Sequence, residues 1–202
     1  MGETVGIPAH LALVQEVADR SLTLLKNEGV LPVSRDGLGR IVNISVQKTQ
    51  EDPSPAVLAT TLAGAFPGVR SYTLRPGTGP AVYDAVWAAA SEADLVILSL
   101  FVIRDRNGDA TPIREEDLAF LHRLMEAKPG RVVAMAYGNP HLIRVIPEVP
   151  AFLVGYGERG WYGNQEVYFD SFVRALTGEL APTGKLPVKV SDQYPVGTGI
   201  GY

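Results

Sequence analysis

Five short apolar runs alternate with helix-length segments along most of this chain, and that alternation restricts its fold more than any other feature. The runs are residues 40–46, 69–74, 94–100, 131–137 and 150–154. The first is dense in β-branched side chains, with Ile41, Val42, Ile44 and Val46. The run at 94–100 is apolar almost without interruption, as a strand covered on both faces must be. Between the runs lie the expected helices 54–65, 81–91, 115–127 and 164–176. The helix at 115 opens on Glu115, Glu116 and Asp117, where a helix dipole favours acidic groups. The expectation is an α/β fold, a flavodoxin-like sandwich with a mostly parallel sheet and helices on both faces.

Upstream, Leu11, Val14, Val17, Ala18, Leu22 and Leu25 recur at three- and four-residue spacing, which predicts one helix over residues 9–27. Pro8 stands at its entrance, and Asn27 or Gly29 would stop it. A short extended piece is expected at 30–33. With 202 residues, one domain is the simplest division: 1–8 as a linker, 9–190 as the sandwich and 191–202 as a tail. A net charge of −4 argues against a nucleic-acid partner, which needs a basic face. The longest apolar run, 95–103, is about half of what a membrane helix requires. The first residues lack the basic-then-apolar pattern of a signal peptide, so a soluble protein is expected, with the cytoplasm as its compartment. No cysteine is available for disulfides or thiolate metal sites.

Ligands of open α/β sheets bind at the carboxyl ends of the strands, so the loops there are the candidate site. One loop carries Arg104, Asp105, Asn107 and Asp109. Another carries Glu158, Arg159, Trp161 and Tyr162. The carboxylates suit sugar hydroxyls, and the aromatic rings suit stacking on a sugar or a role as interface anchors. Gly155, Gly157 and Gly160 match the spacing of a dinucleotide fingerprint, but in the last βα unit instead of the first. The acidic residue about twenty positions on is Glu179, inside a Gly/Pro-rich connection. A loop shaped by packing is the better reading, and no cofactor is expected. His10, His122 and His141 are scattered singly, so no metal site is expected either. There is no Gly-x-Ser-x-Gly elbow of an α/β-hydrolase.

Four strings point to one family. The stretch Ala18-Asp19-Arg20-Ser21-Leu22-Thr23-Leu24-Leu25-Lys26-Asn27, followed by Leu31-Pro32-Val33, resembles the opening of the C-terminal domain of family 3 glycoside hydrolases. Asp94-Leu95-Val96-Ile97 resembles a strand of that domain, and Gly138-Asn139-Pro140 one of its turns. Pro182-Thr183-Gly184-Lys185-Leu186-Pro187-Val188 resembles its close. The resemblance implies a domain that packs on an N-terminal (β/α)8 barrel, with a carbohydrate substrate and the nucleophilic aspartate both held by the barrel. Ser191-Asp192 mimics the nucleophile dipeptide without its surrounding signature, and is read as the end of a final strand. The loop at 155–160 departs from the Pro-Gly-x-Glu-Gly-Gly of the β-glucosidase branch and looks more like the β-N-acetylglucosaminidase branch, whose barrel provides its own acid/base. No catalytic residue is therefore carried over to this chain. Two other readings stand beside this one: a free-standing nucleotide- or sugar-binding module built on the Gly155 loop, and a domain that forms a homodimer through its aromatic loop.

Overall fold

The computed structural model describes residues 8–34, 38–103, 113–157 and 165–202. Twelve elements follow one another: α1 (Pro8–Ser21), β1 (Thr23–Asn27), β2 (Ile41–Gln47), α2 (Ser54–Ala65), β3 (Arg70–Leu74), α3 (Pro80–Ser91), β4 (Leu95–Phe101), α4 (Glu115–Ala127), β5 (Val132–Tyr137), a 3-10 turn (Pro140–Arg144), β6 (Ala151–Gly155) and α5 (Gln165–Thr177). The sheet order is β1-β6-β5-β4-β2-β3, with every neighbouring pair parallel except β1 and β6. Without β1 this is the doubly wound order of flavodoxin-like proteins.

Strand side chains alternate between two cores, as the pleat requires. Val42, Ile44, Val46, Leu98 and Ala134 pack with Val86, Phe120, Leu121 and Leu124 under α3 and α4. Ile41, Ile97, Val133, Met135 and Leu153 pack with Leu58, Leu62, Phe169 and Phe172 under α2 and α5. The central strands β2, β4, β5 and β6 are buried along their whole length. This is why they read as near-continuous apolar runs.

Three expectations are corrected. The helix predicted over 9–27 ends at Ser21, and Thr23–Asn27 is a strand antiparallel to β6. Leu24 and Leu25 enter opposite cores, an alternation that a helix cannot make. Each stabilises the fold by roughly 1.5–3 kcal/mol through burial, more than any local helix preference in so short a stretch. The expected apolar stripe is also only partly used: Leu11 and Val17 are exposed, and Ala18 is the buried residue of α1. Finally, residues 30–33 and 188–191 form no regular strand.

Residues 178–202 instead wrap the open edge of β1. The Gly184 amide donates to Leu22 O at 3.0 Å and the Ile200 amide to Leu24 O at 2.9 Å. Leu186 and Thr198 pair across the wrap at 2.8 Å, and Lys185 Nζ donates to Gly199 O at 2.6 Å. The Tyr202 hydroxyl shares its one proton between Leu180 O, at 2.9 Å, and Ala175 O in the last turn of α5. The wrap satisfies backbone groups that an edge strand otherwise offers to other chains. It also requires Gly184, because a Cβ there would meet the Ser21 carbonyl oxygen, Thr23 Oγ1 at 2.5 Å and Leu22 O at 2.7 Å.

Candidate functional site

The carboxyl ends of the parallel strands are Gln47, Leu74, Phe101, Tyr137 and Gly155. The chain leaves β2 toward β3 on one side and reaches β4 on the other, so the strand order reverses between β2 and β4. A crevice at such a reversal is where open α/β sheets bind ligands. The loops on either side of it begin after Gln47 and Phe101, and those after Tyr137 and Gly155 follow along the same sheet edge.

The polar groups that hold this edge are described. Gln47 Nε2 donates to Asp52 O at 2.6 Å, and the Asp52 carboxylate accepts from Ser54 N at 3.0 Å and Ser54 Oγ at 2.5 Å, which fixes the start of α2. Asn139 is buried after β5. Its Nδ2 donates to Val102 O at 3.0 Å, and its Oδ1 accepts from His141 N at 3.1 Å. It therefore ties the exit of β4 to the exit of β5. At the other foot of the β4 loop, Arg114 grips Asp117: Nε to Oδ2 at 2.9 Å and Nη2 to Oδ1 at 2.8 Å. The Tyr83 hydroxyl donates to the same Oδ1 at 2.6 Å, which joins α3 to α4. Burial pushes the Asp117 carboxyl up, and the bonds from Tyr83 and Arg114 pull the other way. Burial, reinforced by that carboxylate, also raises the Tyr83 phenol.

Beneath the edge, Phe101 and Tyr137 stack with ring centroids 4.5 Å apart and planes 5° apart, and Phe169 meets both edge-on. Gly155 sits over Met135, where a Cβ would lie 2.6 Å from Cε. At Gly157 the space of a Cβ is taken by the ring of Tyr168. Glycine is needed there for packing against α5, and this counts against an approach by pyrophosphate.

Arg104, Asp105, Asn107 and Asp109 lie outside the described residues, as do Glu158, Arg159, Gly160, Trp161 and Tyr162. The structure fixes the feet of both loops without placing these side chains. Ser191 is half-buried and Asp192 exposed in an irregular stretch: Ser191 Oγ accepts from Tyr194 N at 3.2 Å, and Asp192 pairs with Lys189 at 2.6 Å. Among the described residues no three His, Asp or Glu side chains gather to hold a metal ion. His122 pairs with Glu148, and the His141 backbone is part of the Asn139 cap. In the sequence, Asn139 stands only as part of a turn and Asp117 only as part of a helix start. The Arg114-x-x-Asp117 spacing was the available signal, since residues three apart share a helix face.

No protein-family model matches the chain. It is similar to a probable exo-1,4-β-xylosidase of Aspergillus fumigatus, 30% identical over 213 residues, a match covering 95% of this chain and 26% of the relative. The chain thus spans about a quarter of the length of the curated relatives it matches. Among solved structures it is similar to a fungal multidomain family 3 β-N-acetylglucosaminidase, with TM-score 0.70, 20% identity, and coverage of 95% of this chain and 20% of that one. A β-glucosidase mutant from Listeria innocua, in complex with laminaribiose, gives TM-score 0.69, 18% identity, and coverage of 98% and 34%. A family 3 β-N-acetylglucosaminidase from Paenibacillus sp. gives 0.66, 18% identity, and coverage of 94% and 34%. At these identities the structural matches establish the fold.

Proposed function

This chain belongs to the C-terminal α/β domains of family 3 glycoside hydrolases, and from that premise we propose that it packs on a catalytic (β/α)8 barrel and brings its carboxyl-edge loops to the barrel mouth. By itself it hydrolyses no glycoside. The observation that carries the reading is one of proportion: nearly the whole chain matches, but only 26% of the xylosidase and 20–38% of the similar solved chains. The domain is one part of a larger enzyme architecture. A surface suited to such a neighbour is offered by α1 and by residues 188–202, which carry seven of the nine exposed large apolar side chains among the described residues.

Asp105, Asp109 and Glu158, with Arg104, Asn107, Arg159 and Trp161, are the residues of these loops suited to a sugar by their hydroxyl-binding and stacking chemistry. The described carboxylates of the edge, Asp52 and Asp117, are committed to α2 and to Arg114. The whole enzyme's substrate is a β-linked glycoside. The form of the Gly155 loop and the β-N-acetylglucosaminidases among the similar structures support an N-acetylglucosaminide. The xylosidase relative supports a xyloside as the second reading.

The test is an assay of the purified chain on the p-nitrophenyl β-glycosides of N-acetylglucosamine, xylose and glucose. No turnover is expected on any of them, because nucleophile and acid must both reach one bond. Turnover that disappears in Asp105→Asn or Glu158→Gln would place catalysis in this domain and overturn the reading. So would a reading frame that joins it to a fold other than a barrel.

A further inference from the structure

The sheet has two outer edges, and they are treated differently. Residues 178–202 wrap the side of β1, whereas β3 ends the strand order on the other side with no described strand beyond it. Its pairing with β2 runs from Arg70 to Leu74 in unbroken register, so no bulge turns this edge away, and no proline interrupts it. Alternate residues of an outermost strand point their N–H and C=O groups away from the sheet. Among the described residues, the backbone of 70–74 bonds to nothing other than β2. Arg70 and Ser71 are exposed, and Tyr72 and Thr73 are half-buried.

An arginine stands at each end of this edge. Arg70 opens β3 and Arg75 follows its last residue, which sets the two about 17 Å apart along an extended chain. A turn fixes the Arg75 backbone: its N–H donates to Thr78 Oγ1 at 2.9 Å, and its carbonyl accepts from Thr78 N at 2.9 Å. Gln50 Nε2 holds the same turn through Pro76 O at 2.9 Å. Both arginines are exposed, and neither guanidinium has a partner among the described residues. Arg20, Arg40, Arg114 and Arg174, by contrast, each pair with a carboxylate.

We propose that the free edge of β3 is a strand-addition site for an extended segment of another protein that carries a carboxylate at each end. Backbone pairing along 70–74 supplies the affinity, and Arg70 and Arg75 choose the partner. A second copy of this chain does not fit. Antiparallel pairing of two β3 strands about their centre sets Arg70 of each beside Leu74 and Arg75 of the other, and like charges across strands are destabilising. The arginines that repel a second copy attract an acidic strand, so one pair of side chains supplies both halves of the discrimination. The inference does not rest on the family reading, since it uses only the edge of this sheet.

The probe is a capped peptide of alternating valine and threonine with a glutamate at each end, five residues apart. Its control carries lysine at both ends. Amide chemical shifts of the 202-residue chain are followed as each peptide is added. The glutamate peptide should shift the amides of residues 70–75 and the lysine peptide should not. Methylating alternate peptide nitrogens, in both phases of the alternation, should abolish binding in the phase that removes the donors facing β3. Arg70→Glu combined with Arg75→Glu should weaken the glutamate peptide about tenfold, as two exposed charge pairs would, and should admit the lysine peptide. Both substitutions are at exposed positions, and an unchanged Tm confirms that the fold is intact. Absence of binding would leave β3 a solvated edge and overturn the proposal. Equal binding of the two peptides, or shifts centred elsewhere on the sheet, would do the same. So would sedimentation showing that the parent chain pairs with itself through β3.

Discussion

Asn27 folds back on Leu31: its Nδ2 donates to Leu31 O at 2.9 Å, and its Oδ1 accepts from Leu31 N at 3.0 Å and from Val30 N at 3.1 Å. One side chain thereby closes the turn that leads out of β1. Beside it Lys26 Nζ donates to Pro147 O at 2.8 Å, and Val33 N donates to Leu176 O at 2.7 Å. The Leu-Leu-Lys-Asn string is thus a strand, a tether and a turn in succession. Asn27→Ala should remove three hydrogen bonds and destabilise the chain by about 1–3 kcal/mol. Urea unfolding should report a lower midpoint with an unchanged slope.

The wrap over β1 depends on contact between backbones at Gly184. Gly184→Ala pushes a methyl group into the Ser21 and Leu22 carbonyls. Overpacking of this kind costs about 1–3 kcal/mol. Hydrogen exchange should localise the loss: the amides of residue 184 and residue 200, both bonded to β1, should lose protection before those of β4 and β5. Uniform loss across the sheet would contradict a wrap that opens on its own.

Asp117→Ala should be among the costliest polar substitutions. It leaves Arg114 and Tyr83 without the carboxylate that both use. Breaking a buried pair costs about 3–5 kcal/mol, and the lower figure applies because the Arg114 side chain keeps 23% exposure. Equilibrium denaturation of Asp117→Ala and Arg114→Met, singly and together, should show strong coupling between the two.

A pH dependence follows from Asp19, where α1 meets α5. Burial pushes this carboxyl up, but hydrogen bonds from Ser171, Gln15 and Arg174 outweigh it and hold the group below its ordinary value of 3.8. A depressed folded value means that the contribution is present above pH 3.8 and fades as the pH falls through the folded value. Asp19→Asn should therefore be less stable than the parent at pH 7, and the gap should narrow in strong acid. Denaturation midpoints of both proteins across that range provide the check.

The tyrosine ring at Gly157 sets a further expectation. Gly157→Ala should lower Tm, because Tyr168 must move. NAD, FMN and ATP should leave the melting curve of the parent chain unchanged. A nucleotide-dependent rise in Tm that is lost in Gly157→Ala would revive the binding-module reading.

Much of the candidate site was legible as a place and not as a set of contacts. Loops after strands β4 and β6 could be found in the sequence because apolar runs end abruptly at Ile103 and Gly155 and polar, glycine-rich stretches begin. The partners that hold the feet of the β4 loop could not, because Asn139 and Tyr83 reach it from β5 and α3, and side-chain hydrogen bonds across elements leave no periodic trace.

The sequence by itself determined the alternation of elements, the two-sided burial of the central strands and hence a doubly wound sheet. It also supplied the family's strings. These are local properties, written in spacing and hydropathy over a few residues. Only the tertiary structure decided that Thr23–Asn27 is a strand. Its leucines satisfy a helical and an extended pattern equally well, and the choice was made by the open edge of β6 and the two cores on either side of it. The same holds for residues 178–202. Their glycines and prolines announce an irregular course, but the course itself is set by the unpaired carbonyls of residues 22 and 24.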